Sequence, residues 1–417
     1  MLLGATLSRK EWNAIAMNTN KPRGKSAVLL ELLLVSTKLG LTSFGGPIAH
    51  LGYFHHEYIR RRKWLDERSY ADLVALCQFL PGPASSQVGI GIGLMRAGLL
   101  GGIVAWIGFT LPSVLALIAF AVVMQGGGLA NADWIHGLKI VAVAIVAHAV
   151  MGMGQKLAPD RNRATIAVAA AVISLLWPSA WSQVLLIVCA GLLGLWLYYG
   201  RQEAVAETAP MEVPISRRFG AFCLALFLAL LIALPLLRGW IDSSDGGLAL
   251  FDSFYRSGSL VFGGGHVVLP LLERAVVPTG WVSSEQFLAG YGAAQAVPGP
   301  LFTFASYLGM MEGGVLGAVI ATAAIFLPAF LLIVGALPFW SSMRTSPKVQ
   351  GALTGVNAAV VGILLAALYN PLWTTAILAP KDFTLAAILF GMLTFWKLPP
   401  WIVVVTGAVG CMLLGSL

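Results

Sequence analysis

The sequence predicts an all-α polytopic integral membrane protein built from two inverted-topology repeats with broken or re-entrant helices. First, 58% of the 417 residues are hydrophobic and only 11% are charged, which is more apolar surface than a soluble protein of this length can bury. Second, apolar segments separated by short polar loops recur along the chain from residue 26 onward. Third, motifs of the first half reappear in the second half in the same order.

The apolar segments divide the chain into five parts. Residues 1–25 lack the apolar core of a signal peptide and are expected to form a cytoplasmic N-terminal segment. The first repeat covers 26–199 and is followed by the polar cytoplasmic linker 200–218. Segment 219–238 has no partner in the first half, and 239–417 forms the second repeat. Because this one extra membrane-spanning helix precedes the second repeat, that repeat is expected to be inverted, as in many secondary transporters.

Matched motifs define the two repeats, and the offset between matched residues stays between 216 and 218. The matches are Phe44-Gly45-Gly46 with Phe262-Gly263-Gly264, His50 with His266, Glu57 with Glu273, Trp64 with Trp281, and Gln78-x-x-Pro81-Gly82-Pro83 with Gln295-x-x-Pro298-Gly299-Pro300. Chance would rarely keep one offset over so many positions, so the halves are homologous.

The Pro-Gly-Pro motifs are predicted to interrupt helices inside the membrane. Proline removes a backbone donor, and irregular backbone at membrane depth is tolerated only where protein or a water-filled cavity satisfies it. The helix that restarts after each break exposes N–H groups that favour anions. Ser85, Ser86 and Thr303 would add neutral donors, so two such ends predict a site for a small oxyanion. Gln78 and Gln295 either satisfy freed carbonyls or contact the substrate.

Ionisable residues inside the apolar segments are further candidates. Lys38 and Arg256 each lie six residues before a Phe-Gly-Gly motif and could attract a divalent anion; the alternative is that they snorkel to the interface. The matched histidines and glutamates keep a seven-residue spacing in both repeats, about two turns along one helical face. They are candidates for proton coupling, with interfacial hydrogen bonding as the alternative.

The distribution of basic residues bears on topology. Loop 60–68, RRRKWLDER, is strongly basic, whereas the matching loop 272–286 carries Arg274 as its only Lys or Arg and contains two glutamates. Basic loops stay in the cytoplasm. Re-entrant segments 26–50 and 71–95 would place loop 60–68 there, whereas full spans would place it outside. The charges favour re-entrant segments.

The duplicated motifs resemble those of the chromate ion transporter family, of the two-domain prokaryotic type, over nearly the whole chain. The resemblance implies a multi-pass protein of the cell inner membrane that exports chromate, a divalent tetrahedral anion similar to sulfate, from the cytoplasm and so confers chromate resistance. The two halves depart from each other after Phe-Gly-Gly, where Pro47 follows the first copy and Gly265 the second. No nucleotide-binding P-loop is present, which favours secondary transport.

Other functions are less compatible with the sequence. Transport of sulfate or another oxyanion, by exchange for instance, is the main alternative. A membrane enzyme using His50, His55 and His56 is a remote one, because Leu271 and Leu272 stand where the second repeat would need the latter two. No enzyme activity, metal or cofactor is expected. The net charge of +8 lies in short loops and indicates topology and a lipid bilayer, with no nucleic-acid partner. A homodimer is left open.

Overall fold

The computed structural model of the protein describes residues 24–126, 133–177, 179–198, 214–240, 246–343 and 346–415. Most of the predicted N-terminal segment and of the predicted linker lies outside these residues. All regular secondary structure in the described residues is helical, which confirms the all-α prediction.

The helices are numbered in chain order. The first half contains α1 (Lys25–Thr42), α2 (Gly46–Phe54, continued by a π-helical segment, His55–Arg61), α3 (Glu67–Phe79), α4 (Ala84–Gln125), α5 (Asp133–Leu157), α6 (Arg161–Leu176) and α7 (Ala180–Tyr198). The second half contains α8 (Arg217–Trp240), α9 (Gly246–Ser259), α10 (Val268–Val276), α11 (Ser284–Ala294), α12 (Phe304–Ala336), α13 (Trp340–Met343), α14 (Pro347–Ala367), α15 (Thr374–Ala376), α16 (Pro380–Thr394) and α17 (Pro400–Gly415). Short 3-10 turns cover Gly265–Val267, Leu301–Thr303 and Leu337–Phe339, and a π-helical segment covers Leu368–Trp373.

Five helical stretches are long and apolar enough to cross a membrane, which confirms a polytopic membrane protein. They are Ala84–Gln125, Asp133–Leu157, Arg217–Trp240, Leu301–Met343 and Pro347–Ala376. The helices are interrupted at both Phe-Gly-Gly and both Pro-Gly-Pro motifs, where α1, α3, α9 and α11 end. The inverted orientation of the second repeat and the re-entrant course of segments 26–50 and 71–95 stay predictions.

The two longest helices each contain a sharp turn at a matched glycine. Gly98 in α4 and Gly314 in α12 have φ values of 66° and 61°, a left-handed conformation that glycine adopts without strain. The turn brings Gly93 against Gly101, where a Cβ on either would overlap the carbonyl of the other, and the matching pair in α12 does the same. Each long helix is therefore two helical stretches folded back at the turn.

The helices form two packed groups. In one group, α1 packs on α4, α9 packs on α12, and α4 and α12 pack on each other. In the other, α14 packs on α6 and α7, and α17 packs on α5. Glycine allows the closest of these contacts: a Cβ at Gly40 would lie 2.6 Å from the carbonyl oxygen of Phe109, and Gly258 meets Ile325 in the same way. Helices α1, α4, α9 and α12, which flank the breaks, belong to the first group, and α11, which ends at the second Pro-Gly-Pro motif, packs on α5 of the other group.

The topology prediction can be tested at a matched pair of exposed residues. Arg68 and Glu285 are each the second residue of their helix, α3 and α11. In a background without native cysteines, Glu285→Cys should react with a membrane-impermeant maleimide added to right-side-out vesicles. Arg68→Cys should react only after permeabilisation, because its basic loop is predicted to be cytoplasmic. Labelling of Arg68→Cys from outside would show that 26–50 and 71–95 span the membrane fully.

Candidate functional site

Two reciprocal main-chain hydrogen bonds join the motif breaks of the two repeats. The Gly299 N–H donates to the Ser43 carbonyl at 2.8 Å, and the Gly82 N–H donates to the Val261 carbonyl at 2.7 Å. Ser43 and Val261 are the residues directly before the two Phe-Gly-Gly motifs. Each Pro-Gly-Pro break is therefore tied to the Phe-Gly-Gly break of the other repeat. We call this meeting point of residues 43–46, 81–83, 261–264 and 298–300 the junction.

The two junction glycines have a conformation that other residues rarely adopt. The φ of Gly82 is +116° and that of Gly299 is +105°. A Cβ at Gly82 would lie 3.2 Å from the Cβ of Ala329, whereas a Cβ at Gly299 would overlap the Oγ of Ser113. The amides of both glycines are used within the protein. An anion at the junction would therefore meet the N–H groups of the residues that follow each break.

The first break opens into a buried polar helix start. Helix α4 begins at Ala84, and Ser85 and Ser86 are each 2% exposed. The Nδ1 atom of His50, on α2, lies 3.3 Å from the Oγ of Ser85. The Nε2 atom of Gln87 donates to the Pro81 carbonyl at 2.9 Å. Polar side chains thus join α2 to the start of α4 in the first repeat. The sequence predicted the polar side chains of α4 at this place but not the contact with His50 of α2.

The second break is polar too, and the protein satisfies most of its polar groups; the Nε2 atom of Gln295 is buried without a partner among the described residues. The Oγ1 of Thr303 donates to the Pro300 carbonyl at 2.7 Å, and the Oγ of Ser113 donates to the Pro298 carbonyl. The Nδ1 of His266 lies 2.8 Å from the hydroxyl of Tyr291. The hydroxyl of Thr303 is therefore committed to its own turn. The two predicted glutamines differ as well, because Gln78 is exposed whereas Gln295 is half-buried.

The predicted cation Lys38 belongs to an ion cluster around the buried carboxylate of Glu57. Its Nζ is 3.1 Å from the Oε2 of Glu57. The Oε1 atom of Glu57 accepts from Arg62 Nε at 2.9 Å, and both carboxylate oxygens accept from Arg61. Glu57 is 3% exposed and lies outside the five membrane-spanning helices. Burial acts to raise the pKa of this carboxyl, but hydrogen bonds from the three basic partners outweigh burial and lower the pKa to about 2. Glu57 is therefore ionised at neutral pH.

The matched cation Arg256 has a different partner. It binds both oxygens of Asp252 at 2.8 and 2.6 Å, and Arg238 lies 3.4 Å from the same carboxylate. Asp252 is fully buried, and Leu34 stands at the matching place in the first repeat. Sequence reasoning missed Asp252, although an Asp four residues before an Arg in an apolar helix is a recognisable pair. Both predicted substrate cations are thus ion-paired within their own repeats.

A second carboxylate, that of Glu31, connects loop 60–68 to α1 and α4. Arg62 binds Glu31 at 2.7 Å, and Arg96 lies 3.7 Å from the same carboxylate. The guanidinium groups of both arginines lie over the ring of Trp64, at 5.4 and 4.8 Å from its centroid. Of the histidines here, His55 pairs with Glu67 at 2.5 Å. Among the described residues, no group of three potential ligands could hold a metal ion.

Helices broken within one bundle, with their polar ends together, are how polytopic transporters build substrate sites in the membrane. The family model described as chromate transporter matches this chain twice, at residues 30–195 and 248–412. The chain belongs to the chromate transporter family, which confirms the resemblance seen in its motifs.

Several curated proteins are similar over most of this chain. The chromate transport protein of Pseudomonas aeruginosa is 29% identical over 89% of both chains. The probable chromate transport protein of Synechococcus elongatus is 29% identical over 81% of this chain and 83% of its own. The chromate transport protein of Cupriavidus metallidurans is 27% identical over 81% of both. No solved structure gives a significant match.

Proposed function

We propose that this protein is a secondary transporter that exports chromate from the cytoplasm across the inner membrane and thereby confers chromate resistance. The observation that carries the proposal is the double match of the family model, because it covers both repeats whose breaks form the junction. The relatives named for chromate transport support chromate as the substrate. Sulfate, which has the same charge and tetrahedral shape, is the alternative substrate.

The junction suits a small divalent oxyanion. Helix α4 presents its first N–H groups there, and the helix dipole places partial positive charge at that end. Ser86 adds a hydroxyl donor in a buried setting, where hydrogen bonds to an anion are strong, and the hydroxyl of Ser85 lies against His50. The Phe-Gly-Gly breaks contribute exposed backbone at Gly45 and Gly263. We propose that Lys38 and Arg256 add positive potential from their ion clusters.

The driving force is part of the proposal. An inside-negative potential favours exit of an anion by about 2.3 kcal/mol per charge per 100 mV, and by about twice that for a dianion. Proton coupling is the other source. Its four candidates are His50, His266, Glu57 and Glu273. Three cations hold the carboxylate of Glu57, and Nδ1 of His266 lies within hydrogen-bond distance of the Tyr291 hydroxyl. Glu273 is half-buried and forms no salt bridge among the described residues, so it is the carboxyl most able to exchange a proton.

Transport into inverted membrane vesicles tests this function. Vesicles containing the protein should accumulate labelled chromate above the level of empty-vector vesicles, and excess sulfate should compete. Chromium should remain hexavalent inside, since a transporter leaves its substrate chemically unchanged. Ionophores that collapse either the potential or the pH gradient separate the two driving forces. The proposal would be contradicted if vesicles with the protein accumulated no more labelled chromate, and no more labelled sulfate, than empty-vector vesicles.

A further inference from the structure

Buried polar atoms without a hydrogen-bond partner are concentrated in the first repeat. Besides Nε1 of the half-buried Trp106 on α4, five of them lie near the first break or on the helices around it: Ser43 Oγ, His50 Nε2, Ser86 Oγ, Gln87 Oε1 and Thr110 Oγ1. Each of these five residues is at most 2% exposed. Buried polar atoms are nearly always hydrogen-bonded in proteins, and several exceptions in one place indicate a function. These five atoms have no partner among the described residues.

Contacts of neighbouring residues place these five residues in one region of the first repeat. His50 reaches Ser85, the residue before Ser86, and its ring packs edge-on against Phe109 at 5.6 Å between centroids. Phe109 is followed directly by Thr110. One turn further along α4, Ser113 holds the Pro298 carbonyl of the second break. Ser43 joins the same region, because its carbonyl accepts from the amide of Gly299.

The described residues of the second repeat have fewer such atoms: Gln295 Nε2 lies near the second break and Trp340 Nε1 elsewhere. Val261 and Phe326 stand where the first repeat has Ser43 and Thr110. The ring of Phe326 packs against that of Phe302 at 6.0 Å, directly after the second break. The matching histidine, His266, is hydrogen-bonded to Tyr291. Phe302 and Phe326 therefore stand where the first repeat has the hydroxyls of Ser85 and Thr110, whereas Thr303, which matches Ser86, keeps a hydroxyl that bonds to its own turn.

We propose that the oxyanion binds on the first repeat alone, at the start of α4, and that Ser86, Thr110 and His50 are its side-chain ligands. This inference rests on the proposed function and makes the duplicated fold carry one asymmetric site. The hydroxyls of Ser86 and Thr110 donate to anion oxygens, as do the first N–H groups of α4. His50 donates through Nε2 when that atom carries a proton. The second repeat contributes only the backbone of its Pro-Gly-Pro motif, which lines one side of the site.

The remaining two atoms have other roles in this arrangement. The Gln87 amide is oriented by its bond to the Pro81 carbonyl, which leaves Oε1 as an acceptor and excludes it from contact with an anion. The Ser43 hydroxyl lies at the Phe-Gly-Gly side of the junction and can donate to the anion from there. The site therefore has more donors than acceptors, as an oxyanion requires.

Removal of an unpartnered donor is expected to weaken chromate binding without lowering the stability of the substrate-free protein. Removing a hydroxyl that makes no internal hydrogen bond loses nothing in the empty protein, and replacing it by a methyl group removes a buried unsatisfied atom. Thr110→Val should therefore leave the melting temperature of the substrate-free protein unchanged or higher, while weakening chromate binding. A purely structural threonine would show the opposite pattern.

Isothermal titration of the purified, detergent-solubilised protein with chromate tests the proposal. The wild type should bind one chromate per chain. Thr110→Val and Ser86→Ala should each weaken binding about tenfold, and the double variant about a hundredfold, as expected for hydrogen bonds to a charged group. Thr322→Val is the matched control, because the hydroxyl of Thr322 donates to the Ala318 carbonyl at 2.7 Å in α12 of the second repeat. It should bind like the wild type.

The outcomes separate this inference from the proposed function. Wild-type binding that persists unchanged in a folded Thr110→Val, Ser86→Ala double variant overturns the asymmetric site and leaves chromate transport intact. Two chromates per chain would also overturn it. A wild type that binds neither chromate nor sulfate overturns both the function and the site. Melting temperatures recorded on the same samples show whether a loss of binding reflects a loss of fold.

Discussion

Gly299→Ala is expected to reduce chromate transport to the background level. The backbone at Gly299 has a φ of +105°, where an L side chain is strained by about 1–3 kcal/mol. The new Cβ would also overlap Ser113 Oγ, whose hydrogen bond holds the Pro298 carbonyl. Relief of that overlap would displace the amide that donates to Ser43 and so open the junction. Vesicle uptake, with membrane abundance checked by immunoblot, measures the effect.

Two further variants show which part of the effect comes from the overlap. Ser113→Ala removes the Oγ, and its Cβ would lie 3.4 Å from the Cβ of Gly299→Ala, an ordinary contact. The Gly299→Ala, Ser113→Ala double variant should therefore recover part of the transport. The matched Gly82→Ala meets the Cβ of Ala329 at 3.2 Å and should lose less activity than Gly299→Ala. Wild-type transport by Gly299→Ala would show that the junction tolerates rearrangement.

Arg256→Gln is expected to be the most destabilising change of a charged residue in the second repeat. Asp252 is fully buried and would keep only the 3.4 Å contact with Arg238. Removing the only partner of a buried ion pair costs about 3–5 kcal/mol, and the cost here should approach that range because Arg238 contacts one oxygen of Asp252 at a long distance. The melting temperature of the purified protein should fall, and less protein should accumulate in the membrane.

A second substitution separates the structural role of Arg256 from its proposed role toward the anion. In the Asp252→Asn, Arg256→Gln double variant no buried carboxylate is left unpaired, so stability should return. Transport should stay low if Arg256 adds positive potential at the site, whereas wild-type transport would limit its role to neutralising Asp252. Lys38→Gln is the matched control for stability, because Lys38 is half exposed and Glu57 keeps two arginines.

Much of the fold could be predicted from local patterns. Apolar composition indicated a polytopic membrane protein, and the positions of Pro-Gly-Pro and Phe-Gly-Gly indicated where helices break. These signals are local, because proline and glycine act on their own turn of backbone. The same reasoning placed too much weight on symmetry. It treated Ser86 and Thr303 as equivalent donors, whereas Thr303 is bonded to its own turn and Ser86 has no partner among the described residues.

The candidate site shows the same division. The sequence alone determined the class of protein, the duplication, the family and the motifs, because composition and spacing along the chain are enough for these. Only the tertiary structure decided that Gly299 bonds to Ser43 and Gly82 to Val261, that Asp252 neutralises Arg256, and that Thr110 joins the first break. A constant offset shows that two positions are equivalent, but contact between distant residues depends on how the helices pack. The two repeats differ in their packing, because the first has the hydroxyl of Thr110 at the position where the second has the ring of Phe326.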